Sequence, residues 1–141
     1  MIAFLDTSAL VKLYHEEDSS FEVETAISKV EEIYLSGITE LEFRSTIWKK
    51  VRTKEIDKII ANTVIEAFED DFNKYSWVEI DSESIQLSKE LLMRYGQKGL
   101  RTLDSIQLSS ALILKDFNCQ FITFDLRLRN LFQEEGLSIF E

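Results

Sequence analysis

The chain has 141 residues, 45% of them apolar and 30% charged, which suffices for one domain with its own core and is too short for two of ordinary size. One cysteine, Cys119, and one histidine, His15, exclude a disulfide framework, a multi-cysteine zinc site and a multi-histidine metal site. The net charge of −10, from 26 acidic and 16 basic residues, argues against a wide basic face for nucleic acid. It leaves a basic partner or a bound cation to account for the excess.

Ile2-Ala3-Phe4-Leu5 is continuously apolar and reads as a buried strand, with a helix starting in the Asp6-Thr7-Ser8 cluster. A helix is expected at about 20–29, a second strand at 32–35, and helices at 39–51 and about 56–75. Trp77-Val78-Glu79-Ile80 alternates, as a strand near an edge does. Helices follow at 82–95 and 102–115, then a strand at 120–124, a helix at 126–132 and a last strand at 137–140. There is no proline, no linker and no repeat, so a single domain, 1–141, is expected. Short apolar strands separated by helices predict an α/β fold: a central, mostly parallel sheet of about four to five strands flanked by helices on both faces. The strand order is not specified by this pattern. No uncharged apolar run approaches the roughly 20 residues that cross a bilayer, and the start MIAFLD lacks the basic region of a secretory signal. A cytoplasmic protein with no membrane segment is expected.

In an open α/β sheet, ligands bind beyond the carboxyl ends of the strands. Asp6 ends the first strand and Asp125 the segment QFITF. Each is also suited to capping the next helix, worth about 1 kcal/mol; one carboxylate can cap and still face the rim. Asp104 lies in the first turn of TLDSIQLSSALIL, in line with Leu108, Ala111 and Leu112. With apolar residues all round that helix, it is expected to be buried, and an acid emerging from it calls for a cation or strong donors. Glu42 follows Thr39 at capping-box spacing, beside Ser45, Thr46 and Lys49. If the four acids converge, two charges about 4 Å apart repel by roughly 4 kcal/mol at an effective dielectric near 20. A hard divalent ion relieves that cost, and oxygen-only ligation suits Mg²⁺ or Mn²⁺. Such an ion is the equipment of phosphodiester hydrolysis.

Four stretches now carry a resemblance: Ile2 to Leu10 (IAFLDTSAL), Ser36 to Glu42 (SGITELE), Leu100 to Ser105 (LRTLDS) and Phe121 to Leu128 (FITFDLRL). In order and spacing the chain resembles the PIN-domain ribonucleases, in particular the VapC-type toxins of toxin–antitoxin pairs. The resemblance implies a PIN-like fold and an acidic quartet of Asp6, Glu42, Asp104 and Asp125, with Thr7, Ser8 or Thr123 in support; Glu40 is the rival of Glu42. It further implies Mg²⁺- or Mn²⁺-dependent endonucleolytic cleavage of RNA, often tRNA or rRNA, a VapB-like antitoxin that occludes the site, and commonly a homodimer.

Lys98, Arg101 and Arg127 are candidates for RNA contacts, with Arg94 and Arg129 beside them. Gly96-Gln97-Lys98-Gly99 formally matches the GXXG loop of an RNA-binding module, and reads more simply as a helix end and turn. The basic run from Arg44 to Lys58 reads as a solvated helix surface, His15 as a helix-end residue, Cys119 as buried filler, and Trp48 and Trp77 as core or interface anchors. Phosphate-loop, Rossmann and Gly-x-Ser-x-Gly motifs are missing. Two other classes remain: a receiver-like Mg²⁺-binding signalling module, which needs a strand-end lysine, and a non-catalytic acidic protein-binding domain with a PIN-like fold.

Overall fold

The computed structural model describes residues 1–140. Four short strands, β1 (Ile2–Leu5), β2 (Glu32–Ser36), β3 (Ser76–Val78) and β4 (Cys119–Ile122), pair in parallel in the order β3-β2-β1-β4. Because successive side chains leave a strand on opposite faces, the apolar runs feed two cores. Ala3, Leu5, Leu35 and Ile122 face one layer, whose buried residues include Phe43, Ile47 and Phe68. Phe4, Val78, Cys119 and Phe121 face the other, with Leu91, Leu108, Leu131 and Phe132. The first layer is built by α1 (Thr7–Tyr14), α2 (Ser20–Ile27), α3 (Thr39–Arg52) and α4 (Lys58–Asp70). The second is built by α5 (Ser82–Tyr95), α6 (Thr102–Leu112) and α7 (Leu126–Glu134). This is the α/β class expected, a parallel sheet covered on both faces.

Three local expectations are corrected. The helix expected at 56–75 is shorter at both ends. Asp57 caps it by accepting the Ile60 N–H at 2.8 Å, and Asp71 ends it, its carboxylate taken by Tyr14 (2.8 Å) and Lys74 (2.9 Å). A 3-10 turn, Phe72–Lys74, follows. The strand expected at 137–140 is a single parallel bridge from Ile139 to Phe121, closed by two backbone bonds at 2.9 and 3.1 Å. The third concerns α6, which is not apolar all round: it buries Ser105, Gln107, Ser109 and Ser110 and leaves Leu103 and Ile113 exposed. Small hydroxyls let it sit close to its neighbours, with Ser110 donating to Ser36 at the end of β2 (2.8 Å) and Ser88 of α5 to Ser109 (3.1 Å).

Candidate active site

The carboxyl ends of β1 and β4 lie side by side, tied by the Asp6 N–H donating to the Ile122 carbonyl at 3.2 Å. Asp6 caps α1, its Oδ1 accepting from Ala9 N (3.0 Å) and Ser8 Oγ (2.7 Å), while the Thr123 hydroxyl donates to Oδ2. Thr123 Oγ1 also accepts from the Asp125 N–H (3.1 Å), and Asp125 caps α7 through the Leu128 N–H (3.0 Å). Both capping expectations therefore hold, and both acids also line a cavity of about 420 Å³ at this edge of the sheet.

Glu42 and Asp104 line the same cavity. The Thr39–Glu42 capping box does not form. Thr39 is the first residue of α3 and is buried, and Glu42 instead turns to Thr7 of α1 (2.9 Å) and Gln107 of α6 (2.7 Å). Among the described residues, Asp104 bonds only to the Arg101 guanidinium, at 3.5 Å. Thr7, Ser8, Thr46, Lys49, Arg101 and Gln107 complete the walls.

Burial pushes the Asp6 carboxyl up to about 6, against the pull of the Thr123, Ser8 and Ala9 donors and with a further push from Asp125. Burial also raises Glu42, opposed by Gln107 and Thr7 and aided by the charge of Asp104. Charge thus acts within two pairs, Asp125 on Asp6 and Asp104 on Glu42. Among the described residues, no three acidic, histidine or cysteine side chains converge tightly enough to cage an ion by themselves. The donor set is oxygen only and carries unneutralised charge, which fits a hard divalent ion held by one or two carboxylates with water in its remaining positions.

Other candidates lie elsewhere. Lys98 is engaged by Glu134 (2.7 Å), and Arg127 donates to the Gly99 carbonyl (2.9 Å); neither lines the cavity, whereas Arg101 does. Gly99 takes φ 89° and ends a 3-10 turn from Gly96, so the GXXG match is a turn whose left-handed residue calls for glycine. Glu40 belongs to a separate cavity with Phe72, Trp77, Glu79 and Ile80. Cys119 is buried, which raises its thiol to about 12. Lys49 and Gln107 are functional candidates that the sequence did not single out. The signal for Gln107 was a long amide one turn from Asp104 in a helix read as apolar.

A family model described as PIN domain matches residues 3–132. No curated protein sequence matches the chain. Among solved structures, the VapC20 toxin of Mycobacterium tuberculosis, described as cleaving the Sarcin-Ricin loop, superposes with a TM-score of 0.68 at 14% identity over 92% of this chain and 94% of its own. FitAcB from Neisseria gonorrhoeae gives 0.69 at 17% identity over 100% and 97%. VapBC2 from Rickettsia felis, bound to a DNA fragment from its promoter, gives 0.63 at 18% over 99% and 98%. At these identities the likeness is one of fold.

Proposed function

The chain belongs to the PIN domain family, and on that premise we propose that it is a divalent-metal-dependent endoribonuclease of the VapC toxin type. One observation carries the proposal. Four carboxylates from four separate parts of the chain, Asp6, Glu42, Asp104 and Asp125, line one cavity beyond the carboxyl ends of β1 and β4. Asp6, Asp125, Asp104 and Glu42 would hold Mg²⁺ or Mn²⁺, an ion that when bound polarises a phosphoryl oxygen and lowers the pKa of water.

The chain's own residues do the rest. Thr123 and Ser8 fix the Asp6 carboxylate, and Thr7 and Gln107 fix Oε1 of Glu42, so that Oε2 is left to orient the attacking water. Hydrolysis adds that water across a P–O bond of the RNA backbone, one fragment keeping the phosphate and the other the hydroxyl. Arg101, with 73% of its side chain exposed, and Lys49, which makes no ion pair among the described residues, stand at the walls to meet substrate phosphates. They offset acids that would otherwise repel RNA. The same acidic cavity and the net charge of −10 suit a basic segment of a VapB-like antitoxin, and solved neighbours include VapBC complexes. Assembly as a homodimer belongs to the proposal.

The test is cleavage of RNA by purified, partner-free protein with Mn²⁺, with EDTA, and as Asp104→Asn. Cleavage only by the Mn²⁺-loaded wild type is expected. Activity that survives EDTA or Asp104→Asn would overturn the proposal. A second reading, a protein-binding domain without catalysis, draws on the absence of any three-acid cluster among the described residues; it predicts an inert wild type that still binds its partner.

A further inference from the structure

Glu42 is held by a ring of polar side chains that bridges the two helical layers. Thr7 and Thr39 come from α1 and α3 on one face of the sheet, and Gln107 reaches over from α6 on the other. All three are buried, Gln107 to 3% exposure. Bond directions follow from counting hydrogens. An ionised carboxylate only accepts, so Thr7 Oγ1 and Gln107 Nε2 both donate to Glu42 Oε1, at 2.9 and 2.7 Å. Thr7 then has no hydrogen left, and its 3.3 Å contact with Thr39 is made by the Thr39 hydroxyl donating. The second amide hydrogen of Gln107 has two acceptors in reach, Thr39 Oγ1 at 2.9 Å and Thr7 Oγ1 at 3.2 Å, and goes to the nearer. The ring closes.

That orientation carries a penalty. Oε1 of Gln107 is left with no donor, the one buried side-chain polar atom among the described residues in that state. An orphaned buried acceptor is costly, and an apolar side chain of similar size would fill the space without that cost. Turning the amide over would set its oxygen against the Glu42 carboxylate. What glutamine supplies, and leucine would not, is a donor on one oxygen of Glu42. With Oε1 occupied twice, Oε2 accepts no hydrogen bond from the described residues.

We infer that Gln107 is a positioning residue: acting through Glu42, it turns the carboxylate so that a single oxygen, Oε2, is presented to an ion or water in the cavity. This rests on the nuclease proposal above. Outer partners of this kind typically change metal affinity or activity by 10–100-fold.

The experiment is a double-mutant cycle of Gln107→Leu and Glu42→Gln, read by electron paramagnetic resonance of free Mn²⁺ and by RNA cleavage. Gln107→Leu is expected to weaken Mn²⁺ binding by roughly 10-fold or more. In the Glu42→Gln background the same change should add nothing, because the residue through which it acts is already altered. A Gln107→Leu protein with Mn²⁺ affinity within about two-fold of wild type, or losses that add, overturns the inference and leaves the nuclease proposal standing. A wild type that neither takes up Mn²⁺ nor cuts RNA overturns both. Should Gln107→Leu fail to fold, Gln107→Met keeps the length without the donor. NMR of the metal-free wild type gives a second measure. The Gln107 side-chain amide protons should exchange slowly and shift on Glu42→Gln, and an unshifted amide contradicts the ring.

Discussion

At the β1–β4 end of the cavity Asp6 is 3% exposed and both its oxygens take hydrogen bonds, whereas at the α6 end Asp104 keeps 16% of its side chain exposed and, among the described residues, meets only Arg101 at 3.5 Å. Asp6 serves the fold as a helix cap and the site as a buried charge. Asp104 sits past no strand end and caps nothing, so its carboxylate has little structural employment. Substitution at the two ends should therefore separate activity from stability in different ways.

The largest effect is expected at the less constrained end. Asp104→Asn should reduce Mn²⁺-dependent RNA cleavage by more than about 100-fold, beyond the usual loss for an outer partner, while the melting temperature stays near that of wild type. A cleavage assay beside a thermal melt checks this, and a melting temperature that falls with activity would erase the contrast.

At the buried end, protonation is coupled to stability. The folded Asp6 carboxyl lies at about 6, above its ordinary value of 3.8, so the folded state binds that proton more tightly than the unfolded chain does. Its contribution is complete below pH 3.8 and is lost as pH rises through 6. At about 1.4 kcal/mol per unit, the loss is on the order of 3 kcal/mol. Denaturant titrations in EDTA from pH 4 to 7 should show wild type losing stability relative to Asp6→Asn, which still caps α1. Added Mn²⁺ should recover the loss in wild type alone. Parallel curves would mean that Asp6 is not strained by its burial.

Thr123→Val removes the donor to Asp6 and the acceptor for the Asp125 N–H together. A destabilisation of about 1–3 kcal/mol is expected, with weaker Mn²⁺ binding, measurable by chemical denaturation and calorimetric titration. The smallest effect belongs to Arg101→Ala. Its pairing with Asp104 is exposed and contributes little to stability, so the melt should not move, while KM for RNA should rise and lose part of its salt dependence. A destabilised Arg101→Ala would assign the arginine to the fold instead.

Much of this architecture was readable from residue order. Asp81 before Ser82 marks the start of α5, whose bounds match the expectation, and the apolar runs place β1, β2 and β4 within a residue or two. What stayed hidden depends on distant partners. Asp71, which ends α4, holds Tyr14 from 57 residues away, and among the described residues the 137–140 segment bridges to β4 at Phe121 alone. In the cavity, Asp6 and Asp125 were legible because strand ends define the rim. Glu42 resembled a cap until Thr7 and Gln107 claimed it. Lys49 and Gln107 carried no local pattern: one sits in a basic helix run, the other in a helix read as core. Lys98 and Arg127 looked available in sequence and are engaged by Glu134 and the Gly99 carbonyl.

The central claim is that these carboxylates share a hard ion, and anomalous diffraction from crystals grown with Mn²⁺ tests it most directly. A peak should appear in the cavity within about 2.3 Å of carboxylate oxygens from at least one of the two pairs, and vanish in Asp6→Asn/Asp104→Asn crystals. An empty cavity at Mn²⁺ concentrations that sustain RNA cleavage would contradict the account.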